Sequence, residues 1–259
     1  MSAPPARFPL SPELLSDFKT AVATYILPGY APPEPFLPRS AAVATMGSCF
    51  AQHIGETLTK LGIPAAWISV DENNNTPFIT DWYFSQMVEK ASAKPQVVAP
   101  VRAASLFILT VGVALQRFVG DEPVRESSDP DIPGAQWRMF SVDQLAGYMR
   151  SIIAKAREIS PHAHITLTLS PIPLKGSPHH PSVFGQDCLS KSLMRVTIDK
   201  VMSEGIPNLS YWPSFEMIRW LGGHAGPYFG TGGAEDNRHV DPAILDAIMS
   251  LFVARYFKP

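Results

Sequence analysis

Two short runs hold residue types that together could transfer an acyl group. The run Gly47–Ser48–Cys49–Phe50–Ala51 sets a hydroxyl and a thiol side by side after a glycine, where the apolar stripe Phe50, Ile54, Leu58 and Leu61 predicts a helix. A glycine lets the backbone bend sharply, and the next residues open a helix whose first N–H groups lack intrahelical partners. Those groups and the helix dipole favour negative charge, so they lower a thiol's pKa and can hold an oxyanion. The same residues also read as a serine N-cap followed by a packed cysteine. The second run, Glu235–Asp236–Asn237–Arg238–His239, lies in a Gly-rich loop. A carboxylate three residues before a histidine can accept one imidazole N–H and leave the other nitrogen as a base toward a nucleophile. One such pair is expected by chance among seven histidines. Its weight comes from order: a nucleophile after the first strand, then Asp236 and His239 just before the last helix.

The elements that would position these residues are legible as a regular alternation. Apolar runs at Ala41–Met46, Ala65–Val70, Ser105–Val111, Ile165–Leu169 and Asn208–Trp212 read as buried strands. Helical patterns separate them: the stripe from Phe50 closed by Gly62, Asp81–Ala91, a stripe from Val142 to Ala156, and Leu189–Met202. A last helix opens at Asp241–Pro242. Ser141 and Gln144 stand in capping-box spacing. Strands alternating with helices predict a three-layer α/β/α domain around a five-stranded parallel sheet. Such sheets bind ligands beyond the carboxyl ends of their strands, where Ser48 and Cys49 fall. Nine of the 26 prolines lie in residues 1–40, so this segment is expected to be a mostly extended arm packed on the domain of residues 41–259. Ser11, Pro12, Leu14, Leu15, Phe18 and Val22 allow one helix within it.

Composition bounds the function. The 259 residues are 46% hydrophobic and 17% charged, which suits one globular domain, and a net charge of -2 argues against nucleic acid or an anionic membrane as partner. The longest apolar stretch, Leu106–Leu115, is too short for a membrane span, and no signal peptide is read. Two cysteines cannot make a disulfide framework, so a reducing cytoplasmic location is expected. Cys188 is expected to be a small core residue. His179–His180 lacks further ligands at metal spacing, so no metal is expected. Gly222–Gly223 and Gly230–Gly233 lack a phosphate-loop Lys-Ser/Thr and read as a mobile lid near His239. Lys191 and Arg195 share a helical face that could meet an anionic substrate group, although a solvated face or a pairing with Glu216 is the expectation.

The motif order resembles the GSCFA family, which carries the run found here as Gly47 to Ala51 and is itself similar to SGNH/GDSL esterases and acyltransferases. Thr168–Leu174 resembles that family's strand-end Ser-Pro-x-Pro loop, and Leu189–Arg195 its Ser-Lys-x-x-x-Arg helix start. Tyr211–Glu216 resembles its Tyr-Phe-Pro-Ser-Tyr-Glu segment, and Asp236–His239 its D-x-x-H pair. The resemblance implies an SGNH-hydrolase-like fold. It also implies a Cys/Ser-His-Asp site in which the Gly-Asp-Ser register selects Cys49 over Ser48; cysteine is also the better nucleophile at neutral pH. Oxyanion donors in SGNH enzymes include a Gly-x-Asn after the third strand; here Gly112 is present but Ala114 replaces the Asn, and Leu115 the usual Glu. Gly47 and Gly112 are the expected backbone contributors, and Asn74 or Asn75 could supply a side-chain donor, although the Asn run also reads as a solvated loop. The implied activity is hydrolysis or transfer of acyl groups on an acylated carbohydrate, in polysaccharide assembly, with no required cofactor and acyl-coenzyme A as one donor. The partners are then a small molecule or glycan. A non-catalytic relative that binds glycans or partners is the alternative.

Overall fold

The computed structural model describes residues 6–70, 75–89, 95–125, 132–230 and 237–259. Five parallel strands form the central sheet: β1 (Val43–Gly47), β2 (Ala65–Ser69), β3 (Leu106–Val111), β7 (His164–Leu169) and β8 (Leu209–Trp212), in the order β2-β1-β3-β7-β8. Register runs straight across it, with Thr45 beside both Trp67 and Ile108, and Ile108 beside Thr166. Alternation along the strands divides the core into two layers. Met46, Phe107, Leu109 and Leu167 face one cluster, whereas Val43, Leu106, Ile108 and Trp212 face the other.

The first layer is built by α3 (Pro77–Glu89), α4 (Pro95–Ala103), α5 (Val142–Ile159) and α6 (Val183–Met202), which bring Phe84, Val101, Met149 and Ile198 onto the sheet. The second belongs to α2 (Cys49–Lys60) and α8 (Pro242–Tyr256), through Phe50, Ile54, Leu58, Ile248 and Phe252. Emptying one such position, Phe107→Ala for example, removes about 3–5 kcal/mol. Sheet faces covered on both sides explain why the strands are written as continuous apolar runs. The Ser141–Gln144 capping box closes in both directions, and Asp241 caps α8 by accepting from Ala243 N–H.

The N-terminal segment shares the second core layer. Leu15, Val22 and Leu27 are buried there, with α1 (Phe18–Ala21) between them, and Leu37 pairs with the chain end through Lys258 N–H. Tyr30 accepts from the Arg195 guanidinium, which also grips Glu216 at 2.6 Å.

Three features differ from the sequence expectation. A small antiparallel sheet, β4 (Leu115–Val119), β5 (Glu122–Pro123) and β6 (Ala135–Met139), follows β3 in the order β5-β4-β6. Helix α4 stands between α3 and β3 with Pro100 inside it. Helix α6 starts at Val183, capped by Ser182, rather than at Leu189; its first turn carries the exposed Phe184, so no apolar stripe announces it.

Candidate active site

The β1–α2 turn is held by steric necessity. Gly47 has φ +147°, and a Cβ there would meet Thr110 Cβ and the Thr110 carbonyl at 2.9 Å and Ala51 Cβ at 3.0 Å. No side chain fits. The Gly47 carbonyl accepts from Val70 N–H and from Trp67 Nε1, both at 3.0 Å, which anchors the turn to β2. Ser48 then occupies the N-cap position of α2, yet its side chain makes no capping bond. Instead its Oγ lies 3.5 Å from Asn75 Nδ2, at the outer limit of a hydrogen bond. Ser48 and Asn75 are both buried.

These two side chains line a cavity of about 370 Å³. Its floor is the row of strand ends that the parallel topology predicts: Ser48 after β1, Gly112 after β3 and Ser170 after β7. Gly112 is needed for close approach, because a Cβ would stand 3.2 Å from Asn75 Nδ2 and 3.4 Å from Ser170 Cβ. Its N–H points to the Asn75 carbonyl at 3.4 Å, so Gly112 contributes shape here while its amide is turned to the protein. The Ala114 N–H is likewise taken, by Ser190 Oγ at 2.9 Å. The Asn75 amide therefore stands beside Gly112, in the neighbourhood that a Gly-x-Asn would serve; its buried Oδ1 has no hydrogen-bond partner among the described residues. Asn74 lies outside the described residues.

One cavity residue was misjudged from the sequence. Lys191 is buried, not solvated, and its Nζ donates to the Gly112 carbonyl at 2.9 Å. Its helical neighbour Arg195 pairs with Glu216, as expected. Arg117, on the unanticipated β4, is a second buried cation on the cavity wall.

Cys49, the first residue of α2, is half-buried and packs toward the second core layer; it is not among the cavity-lining residues. One turn further on, His53 shares its helical face. The His53 ring lies 6.4 Å, centroid to centroid, from that of His239. The fold thus brings the histidine of the second run against the helix that the first run opens. His53 carries no sequence signal beyond its i,i+4 spacing from Cys49. Asp236 lies outside the described residues.

Other expectations meet plain outcomes. Cys188 is exposed rather than packed. His180 Nδ1 is engaged with the Ser182 backbone, and no group of three or more metal-ligating side chains occurs among the described residues. Gly222 and Gly223 begin a short helix, α7 (Gly222–Ala225), packed on Tyr228, whereas residues 231–233 lie outside the described part. No helix among the described residues is long and apolar enough to cross a membrane.

The GSCFA family profile matches residues 82–252, a span that begins after the Gly47–Ala51 run and includes the other four motif segments. No curated protein matches the sequence. Among solved structures, one described as a GDSL-like lipase from Parabacteroides merdae is 12% identical, with 85% of this chain and 97% of that one covered and a TM-score of 0.50. A carbohydrate esterase family 2 enzyme with a carbohydrate-binding domain, from Corynascus thermopiles, is 12% identical over 85% of this chain and 66% of its own, with a TM-score of 0.45. Phospholipase A1 from Streptomyces albidoflavus is 10% identical over 83% and 99%, also at 0.45. At such identities the likeness speaks for the fold alone, and the first of the three carries it.

Proposed function

Since the chain belongs to the GSCFA family, we propose that it is an acyl-ester enzyme of the SGNH type, with Cys49 as nucleophile, His239 as base and Asp236 orienting His239. The observation that carries this reading is a cavity at the carboxyl ends of β1, β3 and β7, directly beside a helix opened by Cys49 and contacted by His239 through His53. In the reaction the Cys49 sulfur attacks the ester carbonyl carbon, and charge develops on the carbonyl oxygen. Asn75 Nδ2 and the opening N–H groups of α2 are the donors suited to that charge. His239 takes the thiol proton and returns it to the departing alcohol as the C–O bond breaks. The thioester then passes its acyl group to water in a hydrolase, or to an acceptor hydroxyl in a transferase.

The substrate we propose is an O-acylated carbohydrate, with acyl-coenzyme A as the donor if the enzyme is a transferase in polysaccharide assembly. The GDSL-like lipase of related fold makes ester chemistry the natural first assay. Turnover of p-nitrophenyl acetate that falls about 10²-fold or more in His239→Ala is the expected outcome. A rise in Tm with millimolar coenzyme A supports the transferase form; ester turnover with no such shift supports the hydrolase. A second reading has its own observation: Ser48, not Cys49, is on the cavity wall, which favours Ser48 as the attacking group.

A further inference from the structure

A second cavity, of about 350 Å³, lies against the first and shares its Pro173–Lys175 wall. That wall is held from two directions. The Leu174 N–H donates to Asp187 at 2.9 Å, and Arg238 donates to the Pro173 carbonyl at 3.1 Å. Each cavity borders one half of the proposed catalytic pair through its chain neighbours. Ser48, beside Cys49, lines the first, and Asn237 and Arg238, just ahead of His239, line the second.

The second cavity joins aromatic rings to a fixed ion pair. Phe184 and Phe229 are both on its wall, and Phe184, in the first turn of α6, is 80% exposed. Leaving that ring in water forgoes the burial that a ligand seated on it would supply. Asp187, only 2% exposed, is gripped by Arg219, whose guanidinium carbon lies 5.8 Å from the Phe229 ring centroid. Asp187 accepts from Leu174 and Arg219, whereas a carboxylate has about four lone-pair sites, so it can accept from a ligand as well. Apolar rings with a few fixed polar groups, around a space of this size, make a small-molecule site. A pyranose suits both parts. Its C–H faces lie on aromatic rings, and the hydroxyls of its rim donate to a carboxylate and accept from a guanidinium.

A hydrolase binds one organic molecule, since water is its second reactant; a transferase must hold two. We infer that the second cavity is the acceptor site of an acyltransferase and takes a sugar, while the first cavity holds the acyl donor. In the transfer step the sugar hydroxyl oxygen attacks the Cys49 thioester carbonyl carbon and gives its proton to His239. A C–O bond forms, the C–S bond breaks, and the departing thiolate recovers the proton from His239. The acyl chemistry rests on the function proposed above; the binding of the sugar does not.

The wild-type protein is supplied with p-nitrophenyl acetate and rising methyl glucoside, methyl galactoside or methyl N-acetylglucosaminide, and acetylated sugar and free acetate are both quantified. The sugar ester should rise saturably for at least one glycoside. Phe184→Ala, at an exposed position that leaves the core untouched, should raise the half-saturating sugar concentration about tenfold, the scale of one aromatic contact. Phe229→Leu, which keeps an apolar side chain there, should raise it in the same direction. Saturation-transfer NMR with the same glycosides reads binding without turnover and should weaken in both variants. Sugar binding that depends on Phe184 and Phe229, without turnover of any ester, would uphold the acceptor cavity as a sugar site and remove the acyl-ester reading. Ester turnover that yields acetate alone, with no glycoside bound, would overturn the inference and leave the acyl-ester reading standing as hydrolysis. Transfer or binding unmoved by both variants would overturn it too.

Discussion

Ser48 and Cys49 are neighbours in the chain but belong to two differently built regions. On the cavity side, Ser48, Asn75, Gly112, Ser170 and Lys191 converge from five separate parts of the sequence, and all but the glycine are buried polar groups. On the helix side, Cys49 packs on the second apolar layer and His53, one turn further on, meets the ring of His239. The cavity side gathers polar groups around an open space; the helix side sets a thiol one helical turn from a pair of imidazoles. A capping role for the serine explains neither arrangement, since Ser48 makes no cap bond. Under the proposed function the contrast becomes a division of labour, in which the cavity side binds and the helix side reacts, with the turn forced by Gly47 joining them.

The largest expected effect probes that division directly. Cys49→Ala should reduce acyl turnover about 10³-fold or more, whereas Ser48→Ala should reduce it about tenfold, by loss of a wall contact. Steady-state kinetics with p-nitrophenyl acetate checks both, and the reverse ranking would transfer the reaction to the cavity side. Next, Asn75→Ala should cost about 10² in kcat, the scale of one oxyanion donor. An effect on KM alone would make Asn75 a binding residue instead.

Gly47→Ala tests the hinge between the regions. A methyl group 2.9 Å from the Thr110 carbonyl, at φ +147°, should destabilise the fold by about 3 kcal/mol, read by urea denaturation. A loss under about 1 kcal/mol would mean the turn is not sterically forced.

The smallest effect guards the comparison against a false pH signal. His164 begins β7, at the end of the sheet away from the site, and burial pushes its imidazole down to about 4. It stays neutral in the native state while the unfolded chain takes up a proton below about pH 6.5. Its contribution is thus complete above that pH and is lost as pH falls toward 4. His164→Gln should flatten the Tm slope between about pH 6.5 and 4, without moving the pH midpoint of kcat/KM. A shift in that midpoint would tie His164 to the reaction.

Much of this molecule could be read without coordinates, for identifiable reasons. The five central strands bury both faces, so each is an apolar run, and the Ser141 and Asp241 caps are local signals. The β4–β6 sheet hid because β4 carries Gln116 and Arg117, polar residues that are nevertheless buried; Gln116 is satisfied by Val124 O and Thr76 Oγ1. Lys191 and Arg195 look alike on one helical face, but Arg195 pairs with Glu216 in a nearby motif. Burial of Lys191 depends on Gly112, 79 residues earlier. Cys188 was misjudged because an outward-facing cysteine on α6 is flanked by exposed apolar residues such as Leu189, and mimics a core position.

The most direct test of the central claim is to trap the acyl-enzyme and locate it. The wild-type protein is mixed with p-nitrophenyl acetate or acetyl-coenzyme A, quenched in acid, and examined by intact mass and peptide mapping. An acetyl group on Cys49, removed by neutral hydroxylamine as a thioester should be, is the predicted result. An acetyl group on Ser48 that resists neutral hydroxylamine, or no adduct from either donor, would contradict it.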